Sequence, residues 1–342
     1  MWSWLAAHAR AVSLAASAAA FLVDAAICVA LGDRLRFADE RLYLTYADHL
    51  VDDGSYTADG VTPSAYRPPA YPFFLAAFRA LGTGVVGLRL TGAVLLALAV
   101  YAVYLLGRRI LSPAAGAAAA VLTATYPPLL YTSANLYPQA LATALIPGIL
   151  LAALAALDHR GPRRLALAAA GGLGLGALAL AAPSYGVVGA FLVGWLVLRR
   201  RRGGLPVAAA LLVAAALLPG AWVTRNLVVL DAFVPVSTND GFNLLLGNNP
   251  GASPTSGVRV DLSGYELPPG SPPETEVEQS ARYRAAAVEW IRQNPGDALV
   301  LYLGKLANHF NISNEYGTGG VGAGLAEALL TGVHFLPMLV LF

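Results

Sequence analysis

Eight apolar stretches, each near bilayer length, recur along the chain at 11–31, 84–106, 113–130, 137–157, 165–182, 184–198, 206–222 and 322–342. A helix needs about 20 apolar residues to cross the hydrocarbon core. Backbone in lipid must also satisfy its own hydrogen bonds. The pattern therefore predicts an all-α polytopic membrane protein with about eight transmembrane helices. Composition agrees: 57% of the 342 residues are hydrophobic and 12% are charged, against about 25% charged in a soluble globular protein. The first stretch is too long for a cleaved signal peptide, and more spans follow it. Pro183, ahead of the short stretch 184–198, predicts a tight hairpin with the preceding span. The single cysteine, Cys28, lies in an apolar run, which excludes a disulfide framework.

Arginine placement sets the expected orientation. The stretches "GRR" (107–109), "DHRGPRR" (158–164) and "RRRR" (199–202) carry nine arginines, whereas the turns near 131–136 and 183–184 carry none. Short loops rich in Lys and Arg stay cytoplasmic. The two long polar segments, about 32–82 and 223–320, then fall on the opposite side, which in a bacterial inner membrane is extracytoplasmic. The expected organisation is an N-terminal membrane module (1–222) with a first outer loop at 32–82. An outer segment (223–320) follows, then a last span (321–342) that ends inside an apolar run, as in a shortened or partial chain.

Long loops between spans are usually functional or disordered, and neither of these reads as disordered. In the first, "DERLYLTYADHLVDDG" predicts a helix over 40–53 with Leu42, Tyr46, His49 and Leu50 on one face. "RPPAYPFFLAAFRALG" then gives a Pro-rich entry and an apolar helix of about ten residues, too short to span and suited to the interface. In the second, Ser271-Pro-Pro-Glu274 reads as a capping box. It opens an amphipathic helix over 274–293 with Tyr283, Ala287, Trp290 and Ile291 toward one side. "NPGD" (294–297) starts another, capped by Asn294 and carrying Leu301, Leu306 and Phe310, with Lys305 and His309 among them.

Inside the spans, Asp24 is an intramembrane carboxylate, either paired with an arginine such as Arg89 or held protonated against another helix. "GGLGLGALAL" (171–180) has no strand before it, so its small residues serve helix packing rather than phosphate binding. "NIS" (311–313) matches a glycosylation sequon. The five histidines are scattered without metal-ligand spacing, so no protein-bound metal is expected.

The order of motifs is distinctive. A span is followed by an acidic "DE-x-x-Y" helix, an "RPP-x-YP" turn and a run of spans. "TRN…VPVSTN-x-G-x-N-x-x-x-GNNP" and "W-I-x-x-NP" come after them. This order resembles the GT-C glycosyltransferases of the protein O-mannosyltransferase and lipid A aminoarabinose transferase type. The resemblance implies an integral membrane transferase of the cell envelope. It would take a sugar from a polyprenyl-phosphate carrier and pass it to a hydroxyl of a lipid, glycan or protein. A divalent cation could accompany the carrier phosphate, and no nucleic acid partner is expected.

Such a transfer needs a base for the acceptor hydroxyl and cations for the phosphate. In the family the first outer loop carries the catalytic aspartate, a position matched here by Asp39; the bland alternative is a helix cap. Glu40 beside it can fill the same role. Arg67 stands where the aminoarabinose transferase has a basic residue, immediately before two prolines, that contacts the phosphate. A snorkelling interfacial arginine would look the same. Arg225 in "TRN" and Lys305 are further phosphate ligands by this reading, Arg225 otherwise anchoring its span. Tyr43, Tyr66, Tyr71, Asn226, Asn248 and Asn249 are the expected substrate contacts. The Asn-Asn-Pro sequence equally suits a turn, and the loop 241–250 is expected over the pocket rather than in it. Two departures stand out: Gln139 lies where relatives carry a second acidic residue, and Tyr66 where the transferase has an acidic one. Two other readings compete, a transporter or flippase of lipid-linked sugars and a non-catalytic membrane scaffold. A transporter should concentrate ionisable groups at mid-membrane depth, whereas here charge and aromatics gather in the outer segments.

Overall fold

Apolar residues make these segments membrane-soluble, and lipid leaves their backbones no option but helix. The computed structural model describes residues 2–199 and 203–308. Among them are thirteen α-helices and one isolated antiparallel bridge, Thr57 to Pro63. Five helices are long and apolar enough to cross a membrane: α1 (Trp2–Leu31), α4 (Val85–Ile110), α7 (Pro138–Asp158), α8 (Gly161–Ala181) and α10 (Gly204–Val229). They match five of the expected spans. Two others correspond to the shorter apolar helices α5 (Pro113–Ala124) and α9 (Gly186–Leu198). The expected last span, together with His309 and Phe310, lies outside the described residues. The chain is an all-α polytopic membrane protein.

The stretch expected as one span at 113–130 is divided. α5 stops at Ala124, and α6 (Pro127–Ser133) begins three residues later. Pro127 and Pro128 have no N–H to continue the ladder, and a proline pushes the residue before it out of the α region. Tyr126 is extended accordingly, at φ −80° and ψ 108°.

Small residues bring the helices together. In α8, Gly172 and Gly176 lie against the backbone carbonyls of Leu211 and Ala215 in α10. A Cβ at 176 would stand 2.6 Å from the Ala215 oxygen. The glycine-rich stretch is thus a packing face, as its place inside a span predicts. Ile149, Leu178, Leu196 and Leu211 centre one buried cluster of the bundle; Leu96, Val100 and Ala117 centre another.

Two short helices lie between α1 and α4: α2 (Ala38–Asp52) and α3 (Ala70–Arg79). The buried side of α2 centres on Tyr43, Leu44, Tyr46 and Ala47, turned from the expected Leu42–Tyr46–His49–Leu50 face. Tyr43, Leu44 and Ala47 meet Tyr71, Leu75 and Leu88, so α2 and α3 share one apolar core with the start of α4.

The chain forms two compact units that divide between Val236 and Ser237. The expected boundary at 222/223 falls inside α10, which runs on past Pro219. Trp222 and Asn226 then tie the exit of the helix down. Trp222 Nε1 donates to the Val236 carbonyl at 2.7 Å and Asn226 Nδ2 to the Val234 carbonyl at 2.8 Å. The second unit contains α11 (Asp240–Gly247), α12 (Glu276–Gln293) and α13 (Pro295–Asn308). α12 is capped by Thr275 and Glu278, not by Ser271 and Glu274 as expected. Glu278 accepts from the Thr275 N–H at 2.8 Å, while Glu274 is engaged by Arg282 through two bonds of 2.8 Å. Asn294 serves both helices: its side chain closes the end of α12 by donating to the Trp290 carbonyl at 3.0 Å, and its own carbonyl accepts from the Ala298 N–H at 2.9 Å at the start of α13.

Candidate functional site

α2 begins without a capping hydroxyl or carboxamide. Phe37 holds the N-cap position in extended conformation, and the third helical residue, Glu40, reaches back instead. One of its carboxylate oxygens accepts from the Arg36 N–H at 2.8 Å and the Phe37 N–H at 3.1 Å. Asp39 therefore has no cap to make, and its carboxylate pairs with Arg67 Nη2.

Arg67 reaches Asp39 because its own backbone is held from both sides. Tyr56 donates its hydroxyl to the Arg67 carbonyl at 2.9 Å. The Tyr66 N–H donates to Ser64 Oγ at 3.0 Å, and Ser64 Oγ shares a 2.7 Å hydrogen bond with the Tyr46 hydroxyl. Pro68 and Pro69 then turn the chain into α3. The guanidinium carbon lies 5.4 Å from the ring centres of both Tyr43 and Tyr66. Arg67 Nε is buried with no hydrogen-bond partner among the described residues. The pair opens outward through the acid: the Asp39 side chain is 38% exposed and that of Arg67 16%. Tyr137, just before α7, completes the wall with edge contacts to Phe37 and Tyr43. Burial raises the phenol pKa of Tyr43 and of Tyr137, with the Asp39 charge adding to both. Both tyrosines are therefore neutral hydroxyls near pH 7.

Glu40 faces the opposite way, and its surroundings differ from those expected of a base. It is fully buried against the equally buried Arg89, with 2.9 Å between Oε1 and Nη1. The same oxygen accepts from the Leu136 N–H at 3.1 Å. Both carboxylate oxygens are thus engaged by the fold, leaving no open side to an acceptor. Arg89 also removes one of the two settings expected for Asp24, the ion pair. It is committed to Glu40 and to backbone carbonyls, and Asp24, buried in α1, forms no ion pair among the described residues.

The remaining expected residues separate into two places. Arg225, near the end of α10, donates to the Ser64 carbonyl at 2.8 Å and to Asn226 Oδ1 at 3.0 Å, and it stacks near Trp222 and Tyr56. It thereby ties the 56–64 loop to the span. Asn226 is buried in the same knot, and Tyr71 is buried under Tyr43 and Phe74. Beside them opens a cavity of about 770 Å³. Tyr56, Phe73, Ala177, Leu218 and Trp222 line it, with Arg225 at its edge. In the second unit, Lys305 Nζ donates to the Gly247 carbonyl, and burial lowers its pKa. Asn248 and Asn249 close α11 by donating to the Leu244 and Leu245 carbonyls at 2.8 and 2.7 Å, which is the turn role.

Sequence reasoning missed the place of Arg89 and Tyr137 in the site. An arginine five residues into a span offers little pattern, and the loop that holds Tyr137 carries no acid to mark it. Gln139, which stands in that acid's place, is the second residue of α7, and its buried Oε1 has no partner among the described residues. No group of three or more His, Cys, Asp or Glu side chains arranged for a metal occurs among the described residues.

No curated protein and no solved structure gives a significant match to the chain. Residues 66–226 match the family model described as dolichyl-phosphate-mannose-protein mannosyltransferase, from the Tyr66-Arg67 turn to Asn226 at the foot of α10. By that match and by its all-helical membrane architecture, the chain is similar to the GT-C glycosyltransferases over residues 66–226.

Proposed function

We propose that this protein transfers a sugar from a polyprenyl-phosphate carrier to an acceptor hydroxyl at the extracytoplasmic face of its membrane, with mannose the first donor sugar to test. The observation that carries the reading is the meeting of Asp39 and Arg67. Residues 28 apart in sequence form a half-open ion pair walled by three tyrosines. Asp39 is the base and Arg67 the phosphate ligand. The carrier phosphate competes with Asp39 for the Arg67 guanidinium, and so releases Asp39 toward the acceptor. The acceptor oxygen then attacks the anomeric carbon while the bond from that carbon to the phosphate oxygen breaks. Its proton goes to Asp39, and the bonding electrons leave with the polyprenyl phosphate, whose charge Arg67 holds. The apolar cavity beside Tyr56 suits part of the isoprenoid tail, since the turn that carries Arg67 also contributes Pro69 and Ala70 to the cavity wall. Arg225 acts by fixing the 56–64 loop.

The test is transfer of tritiated mannose from polyprenyl-phosphate mannose in membranes containing the full chain. Asp39→Asn is expected to lower turnover by about 10²–10⁴-fold, the usual range for a general base, while donor binding persists. Wild-type turnover in Asp39→Asn would remove Asp39 from the chemistry.

A further inference from the structure

Arg89 sits in the first turns of a membrane span, yet its guanidinium hydrogen-bonds the segments around the proposed base. Nε donates to the Gly32 carbonyl at 3.3 Å and Nη2 to the Arg34 carbonyl at 2.6 Å. Nη1 donates to the Ala134 carbonyl at 2.7 Å and to Glu40 Oε1 at 2.9 Å. Glu40 extends the same grip to the N–H groups of Arg36, Phe37 and Leu136. Two fully buried side chains thus clamp residues 32–37 and 134–136 onto α4.

An ion pair is a poor choice if stability is the sole aim. Buried pairs lose so much hydration that well-packed apolar replacements are often neutral or stabilising. What charge and five-donor geometry add is direction: carbonyls and amides are held at set angles, which apolar packing cannot do. The held segments are those on which the site depends. Asp39 is bonded to Glu40 in the same first turn of α2, and Tyr137 follows Leu136.

We propose that the Glu40–Arg89 pair is the positioning device of the transfer site. It sets the backbone that aims Asp39 and locks that backbone to the turn that brings Tyr137 beside it. Neither residue touches substrate; both act through Asp39, so the proposal rests on Asp39 being the base. Reaction geometry is sensitive enough for this to matter, since a misplacement of about 1 Å can cost about 10²-fold in rate.

The test uses the full chain in membranes, with polyprenyl-phosphate mannose as donor. Glu40→Gln combined with Arg89→Met removes both charges together, so no buried charge is left alone, and the new carboxamide keeps an acceptor oxygen for the loop amides. Arg89→Lys keeps the charge but lacks the fork that reaches the Arg34 and Ala134 carbonyls. In both variants kcat is expected to fall by about 10- to 10²-fold with donor KM unchanged, the deficit being smaller for Arg89→Lys. Hydrogen exchange at the amides of 33–40 should quicken while α4 stays protected. Wild-type kcat in either folded variant, with Asp39→Asn inactive alongside, would overturn the proposal and leave the pair a purely structural clamp. A raised donor KM at unchanged kcat would also overturn it, by moving the effect to the phosphate site. Active Asp39→Asn would instead mark failure of the site assignment itself, and the positioning role would fall with it.

Discussion

Asp39 and Glu40 are neighbours of the same chemical type, yet their surroundings divide them completely. Glu40 is sealed behind Arg89 and three backbone amides, while Asp39 is left over a third exposed against one arginine. The division comes from the helix start. With Phe37 unable to cap, the third residue does the capping, and the second is free to face Arg67. Arg67 supplies the next prediction. Arg67→Ala should raise donor KM and lower kcat, whereas Arg67→Lys should retain part of both, because lysine keeps the charge and loses two-pronged phosphate binding. Steady-state kinetics with polyprenyl-phosphate mannose reads this directly, and equal parameters for wild type and Arg67→Ala would exclude Arg67 from the donor site.

At the scale of elements, α8 and α10 carry two separate tests. Their close approach depends on Gly172 and Gly176, so Gly176→Leu must force the helices apart at the Ala215 carbonyl. Overpacking of this kind typically costs about 1–3 kcal/mol, and the thermal midpoint in detergent should drop accordingly. If α8 and α10 are not packed face to face, the midpoint will not move. Nearer the C-terminal ends of the same two helices lies the apolar cavity. Ala177→Phe would fill part of it from α8. The expected result is a raised KM for a long-chain polyprenyl-phosphate donor and an unchanged KM for a donor with a truncated tail. An equal effect on both donors would show that the tail lies elsewhere.

At the scale of the whole molecule, the arginines predict an orientation, and that prediction is testable. In a Cys28→Ala background, Val61→Cys and Val258→Cys place a thiol at exposed positions in the two long polar segments, and Arg163→Cys places one in the basic stretch at the start of α8. An impermeant thiol reagent added to intact cells should label the first two and spare the third. Labelling at Arg163→Cys alone would reverse the protein in the membrane and put Asp39 on the cytoplasmic side.

Membrane class, five long spans and the packing role of the glycine-rich stretch were legible in the sequence, because lipid imposes a length, a composition and a helical backbone on each span separately. The separate roles expected of Asp39 and Arg67 came through motif resemblance, and nothing in the spacing of "FADE" and "YRPP" says that the two meet; the fold brings them together. Tertiary structure alone decided what depends on neighbours. It divided the 113–130 stretch where two prolines end a helix, and it moved the cap of α12 to Thr275. It engaged Arg225, Lys305, Asn226 and Asn249 with backbone carbonyls of the fold. It also showed that Arg89, one arginine among many on paper, is the partner of Glu40. Local chemistry is written residue by residue, but a side chain's partner is set by which distant segment the fold brings within about 3 Å of it.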